Sequence, residues 1–291
     1  MYYVLTSKNH SVFKYGYGNS YNCILPGNIF NIIPNKEYFY IRQAIIHNDH
    51  KVRKYILGDE KYCIYDIETI KKFNAGKTFD YYYCHVDCAI FNGCVNFLEQ
   101  LKTYDTSILY SVNRINNLYK LASEYNQINI LNWLINSGLS LKYSEHAIDF
   151  TSAIGHVDVL EWWKNSGLPL KYSDFSLYYA SMYNYINVLE WWLKSGLELK
   201  YDNHVLTIAS ISGNIDVLEW WKNSGLELKY SEDVLTLSSE YLKFDTLNWW
   251  IDSGLPLKYS YSFLFDKFWI LYYFSYVRAA YKKIKGFLLK S

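Results

Sequence analysis

Apolar and polar positions along most of this chain recur with a period of 29 residues. The Ser-Gly-Leu triplet marks the beat, at Ser137, Ser166, Ser195, Ser224 and Ser253. In the copy from Tyr201 to Lys229, Leu206 and Ala209 stand three apart, and so do Leu218 and Trp221. That spacing puts each pair on one helix face, turned inward. Ile148, Leu177 and Leu235 share the Leu206 slot. Thr151, Ala180 and Ser238 share the Ala209 slot, and a slot confined to small residues is where helices of adjacent repeats approach closely. Asp202, matched by Ser144, Ser173 and Ser231, predicts the N-cap of a first helix over about 203–212. Gly213 and Asn214 predict a tight turn. Asp216, matched by Asn129, Asp158, Asn187 and Asp245, predicts the cap of a second helix, and Gly225 predicts its end. The tail LELKY reads as an extended connector. A fixed period of this length is the mark of a stacked repeat array. One unit buries its apolar face only against its neighbours, which predicts a solenoid with a long groove and no central cavity.

Each second helix carries two adjacent tryptophans: Trp162-Trp163, Trp191-Trp192, Trp220-Trp221 and Trp249-Trp250. Adjacent helical residues point about 100° apart, so the two cannot face the core equally. The second of each pair shares a face with Leu160, Leu189, Leu218 or Leu247, and Leu134 fills its slot in the earliest of the five copies. The expected core is therefore Leu160, Trp163, Leu189, Trp192, Leu218, Trp221, Leu247 and Trp250. The first of each pair, Trp133 included, is expected at the flank, as an aromatic ladder that either binds a partner or covers the seams between repeats. Its identity in every copy favours the seams, because packing surfaces repeat and binding surfaces vary.

The unit resembles an ankyrin repeat. The stretch GHVDVLEWWKNSGL, with its spacing from Gly155 to Gly167, is similar to the family's second-helix pattern. The resemblance covers roughly residues 81 to 260. Two departures stand out. The Thr-Pro-Leu-His signature is missing, its places reading His146-Ala147-Ile148-Asp149 and His204-Val205-Leu206-Thr207. Each unit is also about four residues short of the family's usual length, between Gly167 and the next helix, where the family places a β-hairpin finger. Connectors Leu168–Tyr172, Leu197–Tyr201 and Leu226–Tyr230 are accordingly expected to lack paired strands. An earlier copy, CAIFNGCVNFLEQL, has Gly93 in the slot of Asn126, at the family's ordinary spacing. The resemblance implies that the residues before each turn glycine and those opening each first helix line a concave binding face. Here these are Ala153 and Ile154, Met182 and Tyr183, Ile211 and Ser212, Glu240 and Tyr241, with Glu145, Asp174, Asn203 and Glu232 as the opening set. They vary between copies, as recognition of an irregular partner requires. The acidic openers also suit the first turn of a helix.

The ends depart from the repeat. Residues 1 to about 80 read as a small β-containing module, from the runs YFYIRQAII, KVRKYIL and KYCIYDI, with Gly58-Asp59 a candidate turn. The same stretch, IRQAIIHNDHKVRKYIL, is alternatively a decayed repeat with Asn48 in the glycine slot. The run Cys23, Pro26, Gly27, Phe30 is similar to the leading module of ankyrin-type proteins from giant DNA viruses of amoebae. After residue 260, Leu264 keeps the first-helix aliphatic slot but Lys267 takes the small-residue slot, which blocks further stacking as a terminal cap requires. The run FWILYYFSYV with Arg278, Lys282, Lys283 and Lys285 has a second reading, contact with a membrane surface. The expected fold is thus mainly α: an N-terminal module over 1–80, an ankyrin-like solenoid over 81–260 and capping helices over 261–291.

Composition narrows the function classes. The formal net charge is +1, which gives no electrostatic case for nucleic acid. No run of about 18 apolar residues predicts a spanning helix, and MYYVLTSKNH does not read as a secretory signal. Cys23, Cys63, Cys84, Cys88 and Cys94 are odd in number, which suits reduced thiols in the cytoplasm. Aromatics reach 20%, with Tyr 32 and Trp 10, a mix that AT-rich codons partly supply. Cys84, His85, Cys88 and Cys94 form the one metal-like cluster, yet Cys88 and Cys94 fall in an expected repeat helix and its turn, so no metal is expected. No phosphate loop, nucleophile elbow, zinc-helix or dinucleotide motif is present. The chain is therefore expected to be a non-enzymatic, cofactor-free, monomeric protein-interaction scaffold, acting in the host cytoplasm if viral. A ubiquitin-ligase substrate adaptor and a virion component are the alternatives.

Overall fold

The computed structural model describes residues 2–7, 38–49, 52–63, 66–68 and 86–258, and these are mainly helical. Near the N-terminus three strands, β1 (Tyr2–Ser7), β2 (Tyr38–Asp49) and β3 (Val52–Cys63), form an antiparallel sheet in the order β1-β2-β3. The strand reading of this stretch therefore replaces the decayed-repeat reading. Gly58-Asp59 does not make the expected turn, because β3 runs through it. Arg42 faces Lys61 whereas Ala44 faces Leu57, so the extra residues of Gly58, Asp59 and Glu60 bulge opposite Gln43. Asp49 pairs with Val52. The runs around Cys23, Cys84 and His85, and everything after residue 258, lie outside the described residues.

The chain divides into two compact units, one of residues 1–147 with 161–171, the other of residues 148–160 with 172–291. In the first, a helical stretch over 86–91 is followed by α1 (Val95–Tyr104), α2 (Thr106–Asn116), α3 (Leu118–Glu124) and α4 (Ile128–Asn136). The longer spacing from Gly93 to Asn126 is taken up by α2, a helix in the place of a connector. Helices α5 (His146–Ala153) and α6 (Val157–Asn165) contribute residues to each unit. The second unit holds α7 (Phe175–Met182), α8 (Ile186–Lys194), α9 (His204–Ser212), α10 (Ile215–Asn223), α11 (Asp233–Glu240) and α12 (Phe244–Asp252). The first helices α7, α9 and α11 pack side by side, and the second helices α8, α10 and α12 form a layer behind them.

Local chemistry sets the helix ends. Asp202 accepts from the amide of His204 at 2.8 Å, Ser173 from Phe175 at 3.2 Å and Ser231 from Asp233 at 3.3 Å, the side-chain caps the first helices need. Each first helix then closes in a left-handed residue at the same repeat position: Gly93, Asn126, Gly155, Asn184, Gly213 and Leu242. At Gly213 the amide donates to Ser210 at 3.2 Å and the next amide, Asn214, donates to Ala209 at 3.0 Å, the paired bonds of a Schellman turn. Gly155 is required twice over, since a Cβ there would stand 2.6 Å from the Tyr185 ring.

The second helices start two residues earlier than caps at their aspartates would place them. They open at Val157, Ile215 and Phe244, so Asp158, Asp216 and Asp245 sit inside the first turn instead of capping it. Asn187 likewise follows Ile186, and Asn129 follows Ile128. An acid at that place favours the helix through its dipole, which tolerates either register.

Every expected core residue is buried, from Leu160 at 0% exposure to Trp250 at 1%. The buried indole of each repeat also donates a hydrogen bond 40 residues back along the chain. In the first unit Trp163 Nε1 reaches Ser123 Oγ at 3.0 Å. In the second, Trp192 reaches Ser152 at 3.1 Å, Trp221 reaches Ser181 at 3.0 Å and Trp250 reaches Ser210 at 2.9 Å. A buried indole N–H left without such an acceptor is destabilising by about 1–3 kcal/mol, so these serines lock each tryptophan in place.

Among the described residues the connectors contain no strand. Side chains stitch them instead. Tyr172 and Tyr201 hydroxyls donate to the carbonyls of Glu198 and Glu227, each at 3.1 Å, and Tyr230 to Pro256 at 2.9 Å. In return Lys200, Lys229 and Lys258 ammonium groups donate to the carbonyls of Tyr172, Tyr201 and Tyr230 and sit 4.4–4.5 Å from the same rings' centroids. Each ring also lies 4.8–5.0 Å from the buried tryptophan of its repeat. Tyr143, Lys171 and Trp163 repeat the arrangement in the first unit.

Candidate functional site

Two surfaces were open as binding sites: the flank tryptophans and the first-helix residues. The flank is already engaged. Trp133 Nε1 donates to Glu99 at 2.7 Å and Trp162 to Asn132 at 2.8 Å in the first unit. In the second, Trp220 donates to Glu190 at 2.6 Å and Trp249 to Glu219 at 2.9 Å. Each bond ties one second helix to the one before it. The Trp133 bond, with Lys102, holds the Glu99 carboxyl below its usual range. Lys194 and then Trp220 lower Glu190, and Trp249 and then Asn223 lower Glu219. The flank rings are half-buried and meet their buried partners edge to face, at centroid distances of 5.1–5.2 Å.

The first helices present a different surface. On α7, Phe175, Tyr179 and Tyr183 stand four apart and line one face. Phe175 and Tyr179 stack at 5.4 Å and 27°, and Tyr179 and Tyr183 at 6.3 Å and 24°. Phe150 reaches Tyr179 at 5.9 Å, and Tyr178 meets Phe175 edge-on at 5.8 Å. Burial, with Tyr179 and Tyr183 beside it, pushes the Tyr178 hydroxyl above the usual phenol range. Yet Phe175 and Tyr183 remain 50% and 51% exposed. Two repeats on, Tyr241 in the Tyr183 slot is 60% exposed.

Of the expected site residues, Glu145, Asp174, Tyr183, Glu232, Glu240 and Tyr241 are exposed. Ile154, Met182, Asn203, Ile211 and Ser212 are half-buried. Ala153 is 8% exposed and offers little surface, a correction to its place in that set: its small side chain is spent on packing. Sequence reasoning missed Phe150, Phe175, Tyr178 and Tyr179. For the last three the signal was the aromatic series of α7 at helical spacing, which no neighbouring repeat shares.

The chemistry of the remaining groups is sparse. Cys88 is buried, Cys94 partly so, and neither is in a disulfide. Among the described residues no group of three His, Cys, Asp or Glu side chains is placed to hold a metal ion. The buried Asp149 accepts from the Ser173 amide at 3.0 Å and from the Ser173 and Ser176 hydroxyls, fastening the start of α7 to α5. No described helix is long and apolar enough to cross a membrane. Compared with family models and with curated proteins, the chain matches none.

Proposed function

We propose that this chain is a non-enzymatic protein-binding scaffold, an ankyrin-like solenoid whose first-helix face holds a partner protein. One observation carries the reading. The residues that repeat without change are buried or bonded across seams, as with Trp221 to Ser181, whereas the half-exposed aromatics Phe175, Tyr183 and Tyr241 stand where the repeats differ. A constant interior with a varied outer face suits recognition of one irregular surface. Large aromatic side chains are favoured anchors in such contacts. The resemblance of the repeat and of the Cys23–Phe30 stretch supports a viral protein acting in the host cytoplasm.

The test is capture of a partner from host lysate by the full chain and by a variant with Met182, Tyr183 and Ile211 replaced by serine. Half-exposed or exposed substitutions of this kind cost about 0.5 kcal/mol each, so the melting temperature should hardly move while capture is lost. Normal capture by that variant, with loss in a Trp191→Ala protein that stays folded, would move the site to the flank. Ligase subunits or virion proteins among the captured set would direct the scaffold role to an adaptor or a particle.

A further inference from the structure

The lysines of the second unit are segregated by layer, whereas its acids lie on every layer. Its described residues include six lysines: Lys194, Lys200, Lys222, Lys229, Lys243 and Lys258. Lys194 and Lys222 end second helices, three more lie in connectors over tyrosine rings, and Lys243 lies in the turn beside Gly213. Helices α7, α9 and α11, with the residue preceding each, contain no lysine or arginine. They carry Asp174, Glu232, Asp233 and Glu240, all exposed. His204 is the one basic-type side chain there, and it is paired with Asp202 at 2.7 Å. Asp174 precedes the aromatic stack, and the other three acids continue the same layer two repeats on. Glu232 occupies the Asp174 slot and Asp233 the Phe175 slot, while Glu240 precedes Tyr241 as Met182 precedes Tyr183.

We propose that this layer docks a cationic peptide segment, with an arginine or lysine side chain laid against the Phe175–Tyr179–Tyr183 rings beside Asp174 and further basic residues reaching Glu232, Asp233 and Glu240 two repeats along the same layer. The proposal rests on the protein-binding reading above and gives the partner its chemistry. Exposed ring faces accept an apolar side chain or a cation equally well by area alone. The acids decide between them. A carboxylate beside an aromatic face rewards a guanidinium, which stacks on the ring and pairs with the acid at once. An acidic segment would meet Asp174, Glu232, Asp233 and Glu240 with no compensating base in the same layer. A neutral apolar segment would leave those four carboxylates at the edge of the contact without a cation to offset their desolvation.

The experiment measures binding of the full chain to a fluorescent oligoarginine peptide, an oligoglutamate peptide and a neutral Leu/Ser peptide, at low and high salt. Oligoarginine should bind, and the other two should not. Replacing Asp174→Asn, Glu232→Gln, Asp233→Asn and Glu240→Gln together should weaken binding about tenfold at low salt. The gap should close at high salt, where the screening length shrinks to about 3 Å. Phe175→Ala with Tyr183→Ala should weaken binding about tenfold at either salt, since a ring contact is screened less. Both variants should melt like the parent. Equal oligoarginine binding by parent and variants would place the peptide elsewhere and overturn the proposal, as would binding of the neutral or acidic peptide in its stead. A photo-crosslinking residue at Tyr183 separates the two levels. If it captures a protein that oligoarginine does not displace, the cationic assignment fails and the protein-binding face stands. If it captures nothing and no peptide binds, both fail.

Discussion

The seams between repeats and the first-helix face differ in what they hold constant. Along the seams of the second unit the same bonds recur at the same spacing: Trp192, Trp221 and Trp250 each donate to a serine 40 residues back. Each of Tyr172, Tyr201 and Tyr230 donates forward to a carbonyl 26 residues on and takes a lysine over its ring. On the first-helix face one slot reads Ile154, Tyr183, Ser212 and Tyr241 in turn. The lesson is that identity across these copies marks side chains whose bonds join one repeat to another. It argues against the flank tryptophans as a site, because Trp220 and Trp249 donate inward to Glu190 and Glu219.

The sharpest break of this comparison is within one tryptophan pair. Trp192→Ala removes a ring that is 1% exposed and should cost about 3–5 kcal/mol in urea unfolding. Trp220→Ala removes a half-buried ring whose bond goes to a partly exposed carboxylate, and should cost clearly less. Equal losses would mean that the flank ring is core as well.

Next come the serines. Ser181→Ala leaves the Trp221 N–H buried without its acceptor and should cost about 1–3 kcal/mol. Ser239 occupies the same slot in the last described repeat, but its buried hydroxyl has no hydrogen-bond partner among the described residues. Ser239→Ala should therefore be neutral or stabilising. A loss at Ser239 as large as that at Ser181 would show that the slot requires the hydroxyl for a reason other than the indole.

The connector tyrosines should give a smaller effect with a pH signature. Tyr201→Phe deletes the bond to the Glu227 carbonyl and should cost roughly 0.5–1.5 kcal/mol at neutral pH. Burial, then the Glu227 charge, raises the Tyr201 hydroxyl above its usual value of 10.0, and burial does the same at Tyr230. A raised folded-state value means the neutral form is the one the fold favours. The contribution is whole below the unfolded value and is lost as pH rises through the higher folded value. Unfolding midpoints of the parent should fall above about pH 10, and those of Tyr201→Phe should fall less steeply there.

How far the sequence was legible follows the same division. The period, the paired helices and the inward phase of Trp163, Trp192, Trp221 and Trp250 were readable because each repeats. The serine row of Ser123, Ser152, Ser181, Ser210 and Ser239 repeats equally plainly. It was passed over because a small residue in a helix reads as close packing, and its bond to an indole 40 residues away is a tertiary fact. The starts of the second helices were misplaced by two residues because an acid suits the cap and the first turn alike. Gly58-Asp59 has the composition of a turn, yet pairing of β3 with β2 absorbs it as a bulge. The aromatic stack of α7 was missed because it occurs once, and the search favoured what recurs.

The turn after each first helix adds a third kind of constancy, in which conformation is kept while the residue changes. Gly213 fills it at φ 84°, Asn184 at φ 62° and Leu242 at φ 54°. Glycine takes this region freely and asparagine tolerates it, but a leucine held there is destabilised by about 1–2 kcal/mol. Leu242 nonetheless keeps both bonds of the turn, its amide to Ser239 at 3.1 Å and that of Lys243 to Ser238 at 2.8 Å. Its side chain gains little in return, being 66% exposed. Leu242→Gly should thus relieve the strain, while the freer unfolded chain takes back about 0.4–1 kcal/mol. The net is a gain of roughly 0.5 kcal/mol. Chemical unfolding of the variant beside the parent measures it. A loss of stability would mean that the exposed leucine is packed against something in solution, and the turn of the last described repeat would then join the first-helix face as a contact surface.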